Sequence, residues 1–201
     1  MSLIGKLMTK PWVGGGVVAT EDSLTEAIPP AKIGLWLFLC TISAVFGLFM
    51  VAYQMRIVLT TDWVSIPKPT ILWLNTALLA MASVAFEWTK AAARQKKPGG
   101  IRASLLVGGL LTMAFLGGQL LAWNELVASG YFLAANPANS FFYLVTGLHG
   151  LHLIGGLVVW ARTTWRVFAG YEVTLSIELC ATYWHYLLLV WIILFGLLLS
   201  T

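Results

Sequence analysis

Five apolar stretches, each about 20 residues long or longer, divide this 201-residue chain, and that is the length a helix needs to cross a bilayer. They run near Ala31–Tyr53, Thr70–Trp88, Ala103–Leu126, Ser140–Ala161 and Ile177–Leu199. Composition agrees: 59% of residues are hydrophobic and only 10% are charged, where soluble chains average about 25%. A water-soluble domain has no use for so much apolar surface. The fold class expected is an all-α membrane protein, a bundle of five transmembrane helices, because lipid leaves the backbone no partner except itself.

Charge sets the expected orientation. Lys6, Lys10 and Lys32 precede the first stretch; Lys90, Arg94, Lys96, Lys97 and Arg102 fill the loop after the second; Arg162 and Arg166 follow the fourth. The other side holds Arg56 and Lys68. The positive-inside rule therefore predicts a cytoplasmic N-terminus and an outward C-terminus. The net charge of +4 reflects this topology and predicts no nucleic-acid partner. Residues 1–30 read as a cytoplasmic arm, with a triple-glycine run at 14–16 and a Pro29-Pro30 stop, and without a signal peptide. The remainder, 31–201, reads as one membrane domain. Trp63, Trp73, Trp88, Trp160 and Trp165 fall near span ends, where indoles favour the interface. Ala114, Gly118 and Ala122 form a small-residue ridge suited to close helix contact, and Thr146 and Gly150 repeat that spacing once. Cys40 and Cys180 stand in separate spans with no CxxC pair, and read as free thiols acting as small hydrophobes.

Titratable groups in hydrocarbon are costly and mark candidate sites. His149 and His152, at i and i+3, share a helix face; His185 lies at similar depth on another span. Three such imidazoles are a possible ligand set for copper, iron, zinc or haem. The spans offer no deep carboxylate and no fourth histidine to complete one. The competing reading has each ring neutral and bonded to a neighbouring helix or a lipid headgroup. For His149 the expected partner is the hydroxyl of Thr41 or Ser43, a backbone carbonyl or a bound water, and not a metal. Glu87 and Lys90 are spaced to form an i, i+3 pair, and Glu178 is expected to open the last span, where the helix dipole favours an acid. No nucleophile–base pairing or phosphate-cradling loop is evident.

On these residues the chain resembles subunit III of the haem-copper terminal oxidases, in its short five-helix bacterial form. The matching segments are Phe141-Phe142 through Thr146-Gly147-Leu-His149-Gly150-Leu-His152 to Gly155, and Glu178 with Tyr183-Trp184-His185-Tyr186 and Trp191. Gly34-Leu-Trp36-Leu-Phe38 and Leu74-Asn75-Thr76 on the first two spans match less specifically. The resemblance covers roughly 31–199. It implies a non-catalytic accessory subunit of a respiratory oxidase (cytochrome c or quinol oxidase) that reduces oxygen to water and pumps protons. The complex would sit in the bacterial inner membrane. The chain itself would hold no haem or copper; those belong to partner subunits. It would pack on subunit I within a complex that includes subunit II, stabilise subunit I through turnover, support proton delivery and bind phospholipid. Trp36, His149, His152, Glu178, Trp184 and His185 are the structural, lipid-related or proton-related residues so implied, with none catalytic and none binding a metal. Where the family usually carries a span-one glutamate this chain has Ile42, Leu188 replaces a frequent aspartate, and Ala122 an acid. None of these three side chains can carry a proton. Two rivals stand beside this reading: the small subunit that accompanies nitric oxide reductase, and a stand-alone membrane metal or haem enzyme or carrier using His149, His152 and His185.

Overall fold

The structure, a computed structural model, describes residues 29–59, 67 and 69–200. The 1–28 part of the expected arm, with Lys6 and Lys10, lies outside the described residues, as do Trp63 and Lys68. Five helices follow in order: α1 Pro30–Leu59, α2 Ile71–Arg94, α3 Pro98–Ala128, α4 Pro137–Phe168 and α5 Thr174–Leu199. All five are long and apolar enough to span a membrane.

Each helix matches an expected span, but most run past its ends. Hydropathy marks where the hydrocarbon stops, whereas a helix continues as long as its backbone bonds do. Ala91-Ala92-Ala93 are strong helix formers, so α2 carries Lys90 and Arg94, and Arg102 belongs to α3. The expected basic loop shrinks to Gln95-Lys96-Lys97. It closes by Lys97 N–H donating to the Ala92 carbonyl (3.1 Å) and Lys96 N–H to that of Ala93 (3.1 Å). Lys96 takes the left-handed φ of 52° that this closure requires. Pro98 then starts α3, where a missing N–H costs nothing. At the opposite end of the molecule Asn136 caps α4, its side chain accepting from Ala138 N–H at 3.0 Å, again followed by a proline.

Helices α2 to α5 pack as a ring, with contacts between α2 and α3, α3 and α4, α4 and α5, and α5 and α2. Close approach depends on glycine at Gly108, Gly109, Gly118 and Gly156, most tightly at the second and third. A Cβ on Gly109 would overlap the Trp160 ring, and one on Gly118 would overlap Asn75 Oδ1. The expected small-residue ridge is thus half right: Gly118 and Ala122 face neighbours, while Ala114 is exposed. The register that packs runs through Leu105, Gly108, Gly109, Thr112, Phe115, Gln119 and Ala122.

Lipid-facing helices gain no hydrophobic force from meeting each other, so polar ties matter more. Four indoles supply them. Trp123 donates to Thr146 Oγ1 (3.1 Å), Trp160 to the Leu105 carbonyl (2.9 Å), Trp184 to Thr112 Oγ1 (2.9 Å) and Trp191 to Thr76 Oγ1 (3.0 Å). Trp160 is therefore a packing residue and not the interfacial anchor expected of it. Trp73, Trp88 and Trp165 are exposed.

Helix α1 is different. It brings no Cα within 8 Å of another helix and meets the ring only through long side chains. Its buried stripe is Leu39, Ile42, Phe46 and Tyr53. Phe46 reaches the His152 ring (5.6 Å between centroids), Tyr53 meets Phe141 edge-on, and Tyr186 hydrogen-bonds both Ser43 Oγ (2.8 Å) and the Leu39 carbonyl (3.2 Å). Apolar clefts open along α1 between these contacts, one of about 390 Å³ and one of about 100 Å³.

Candidate functional site

The three histidines do not converge on one point; each has its own surroundings. His149 is fully buried on α4 among Phe46, Phe115 and Trp191, with the Trp191 ring tilted over it at 5.2 Å. Neither ring nitrogen has a hydrogen-bond partner among the described residues. The hydroxyl partners expected for it are engaged elsewhere: Thr41 bonds the Leu37 carbonyl, and Ser43 the Leu39 carbonyl and Tyr186. The side of α1 that might have supplied a carboxylate carries Ile42, itself buried.

His152, one turn on, has Nδ1 2.8 Å from the Leu148 carbonyl and lines the larger cleft. Its own backbone carbonyl accepts from Tyr183 (2.9 Å), which ties α4 to α5.

His185 heads a polar chain that runs from α5 across to α2. Its Nε2 lies 3.0 Å from Glu87 Oε2, its Nδ1 contacts the Ser83 hydroxyl, and Lys90 Nζ lies 3.1 and 3.2 Å from the two Glu87 oxygens. A carboxylate only accepts, so Nε2 carries the proton, and in a neutral ring Nδ1 accepts from Ser83. The Glu87–Lys90 pair has the expected spacing, but the reading that no nucleophile–base pairing exists needs correction, because Ser83, His185 and Glu87 do form one linked set. Sequence reasoning missed Ser83 altogether. The set is nevertheless unsuited to acyl transfer. Ser83 sits inside α2, where the neighbouring backbone N–H groups belong to helical bonds and are not free to stabilise an oxyanion. What the chain can do is hold and orient a proton, and present polar atoms on an outer face: His185 and Glu87 are 42% and 50% exposed.

The other expected residues fall as follows. Trp36 is exposed on α1. Trp184 is fully buried and bonded to Thr112. Glu178 is half-buried on α5, but α5 begins at Thr174, which puts it beyond the first turn, where the dipole advantage has faded. Two buried polar pairs were not anticipated: Asn75 Nδ2 with Gln119 Oε1 (3.2 Å), and Thr89 with Ser104 (2.9 Å), both joining α2 to α3. Polar residues recurring on the buried stripe of two successive spans were the available signal. Both cysteines are free; Cys40 is exposed and Cys180 is buried against Thr163. No group of three or more His, Cys, Asp or Glu able to hold a metal ion occurs among the described residues.

Fold and polar groups together define a multi-pass helical membrane protein whose ionisable residues tie helices to each other. Comparison with known proteins narrows this class. The family model for cytochrome c oxidase subunit III matches residues 29–199. Cytochrome c oxidase subunit 3 of Thermostichus vulcanus is 30% identical over 193 residues, 91% of this chain and 93% of that one. The probable cytochrome c oxidase subunit 3 of Nocardia farcinica is 32% identical, covering 75% and 77%. The cytochrome bo(3) ubiquinol oxidase subunit 3 of Pseudomonas aeruginosa is 29% identical, covering 81% and 80%. The chain belongs to the cytochrome c oxidase subunit III family and is an accessory subunit of a haem-copper oxidase. Such subunits lack redox centres and associate with the other oxidase subunits. The nitric oxide reductase and stand-alone enzyme readings are not favoured.

Proposed function

We propose that the chain packs directly on oxidase subunit I, the haem- and copper-bearing partner, within a complex in the bacterial cytoplasmic membrane that also holds subunit II. In that place it stabilises subunit I through turnover. The observation that carries this reading is the Ser83–His185–Glu87–Lys90 chain on the outer face of α2 and α5. Glu87 lies one residue before Trp88, where the apolar stretch of α2 ends, so it stands at the edge of the hydrocarbon. His185 reaches it from well inside the apolar stretch 177–199, where hydrocarbon cannot solvate an exposed imidazole, so a neighbouring protein helix with polar atoms of its own is the natural cover. The N-terminus faces the cytoplasm on the charge argument. The outer flank of α1, where Trp36, Leu37, Leu48, Val51 and Met55 are exposed, runs beside acyl chains of phospholipid; Lys96 and Lys97 supply cations for anionic headgroups at the inner surface.

Purification in mild detergent, followed by an optical spectrum, tests the first part. The expected result is co-purification of a haem-bearing large subunit, weakened when Glu87 and His185 are both replaced by leucine. Oxygen reduction by the isolated chain would overturn it. For orientation, a cysteine in the 95–97 turn should be shielded from impermeant thiol reagents in intact cells and one added after Thr201 should react; the opposite pattern would reverse the topology.

A further inference from the structure

The larger cleft beside α1 carries a hydrogen-bonding pattern that a phospholipid tail cannot match. It is lined by Leu35 and Phe38 of α1, by His152 and Gly155 of α4, and by Cys180 and Tyr183 of α5 among others. Its volume of about 390 Å³ is within the range of small-molecule sites. Nearly all of the lining is apolar. The donors it contains are committed: Tyr183 O–H to the His152 carbonyl, Trp184 N–H to Thr112, and the Cys180 thiol against Thr163.

Among the lining residues, the His152 ring keeps one nitrogen without a partner. His152 Nδ1 lies 2.8 Å from the Leu148 carbonyl, and a carbonyl only accepts, so Nδ1 carries the ring proton. In the neutral ring Nε2 is then a bare acceptor, and the structure gives it no partner among the described residues. His152 stands midway along the 32-residue α4, near mid-membrane depth. Phospholipid esters and headgroups stay near the surface, and the methylenes that reach this depth have no donor to offer.

We infer that the cleft is a binding site for a neutral, mainly apolar molecule that bears one hydroxyl and donates it to His152 Nε2. A phenolic or quinol hydroxyl, or that of a long-chain or polycyclic membrane alcohol, has this chemistry. A quinone, which only accepts, does not. The inference goes beyond the subunit reading and does not depend on the docking face: loss of the haem-bearing partner on mutating Glu87 and His185 would test that face and leave the cleft untouched.

The test uses the assembled oxidase complex in nanodiscs, with 4-decylphenol and its methyl ether, 4-decylanisole, as radiolabelled probes. The two differ little in shape, but only the phenol can donate. A single hydrogen bond should make the phenol bind about three- to tenfold more tightly. His152→Phe should bring the ratio to about one, and His152→Gln, which keeps an acceptor, should retain a preference for the phenol. Equal binding of both probes to the wild-type complex, or a preference that survives His152→Phe, would overturn the proposal. If His152→Phe fails to assemble, the wild-type ratio and the glutamine variant decide. Mass spectrometry of the apolar material that 4-decylphenol displaces separates the sources: a quinol or a membrane alcohol supports the site, while displacement of phospholipid alone refutes it.

Discussion

At the scale of single residues, the three histidines show how differently one side chain is used inside a membrane. His149 has no hydrogen bond to either nitrogen among the described residues and packs against the rings of Phe46, Phe115 and Trp191. An unmade bond in a dry interior costs about 1–3 kcal/mol, so an aromatic replacement that keeps the packing removes a penalty along with the polarity. His149→Phe is therefore expected to assemble at least as well as His149→Gln in quantitative blots of the purified complex. A clear advantage for glutamine would reveal a hydrogen bond that the structure does not contain. His185 is the opposite case, with both nitrogens engaged. Glu87→Ala removes the acceptor for Nε2 and the partner of Lys90, so the complex should lose roughly 1 kcal/mol, while Glu87→Gln should lose less. Thermal melting of the two variants side by side reads the difference; identical melts would mean the contact carries no stability. The candidate residues on the spans were legible because polar atoms stand out in an apolar run. Their partners were not. Glu87 and His185 are 98 positions apart, and only the packing of α2 on α5 places them in contact.

At the scale of elements, the five helices could be read from hydropathy alone, since spanning length and apolar composition are a direct consequence of bilayer thickness. Their ends could not. Solvent outside the bilayer permits helix or loop alike, so the local choice falls to alanine runs, prolines and caps, and the basic segment after α2 became mostly helix. Helix faces were only partly legible too. A ridge at i, i+4, i+8 drifts around a 3.6-residue helix, which is why Ala114 ends exposed while Gly118 packs. The α3–α4 seam gives a sharp test. Gly109 lies against Trp160, whose indole is held by the Leu105 carbonyl and cannot easily yield. Gly109→Ala should destabilise by about 1–3 kcal/mol as an overpacking change. Gly117→Ala, where a Cβ meets nothing within 4 Å, should be neutral or slightly stabilising. Adding Trp160→Phe should recover part of the Gly109→Ala loss, and a double-mutant cycle measures that coupling. Strict additivity would mean that the close approach does not govern the seam.

At the scale of the whole molecule, the contrast between the ring of α2–α5 and the loosely attached α1 sets an order of loosening. Elements with few close contacts open at low free energy, ahead of global unfolding. The ring is closed by indole and amide bonds from helix to helix, whereas α1 is held by Phe46, Tyr53 and Tyr186 and is flanked by clefts. Cys180 lines the larger of these clefts and is only 2% exposed, so its thiol reports on whether α1 is in place. In a Cys40→Ala background, stepwise delipidation with detergent should raise the rate of Cys180 labelling severalfold while the far-UV helical signal is unchanged. Returning lipid should slow labelling again. If Cys180 becomes reactive only as helicity itself collapses, α1 and the ring form one cooperative unit and the side-chain contacts along α1 are stronger than their number suggests.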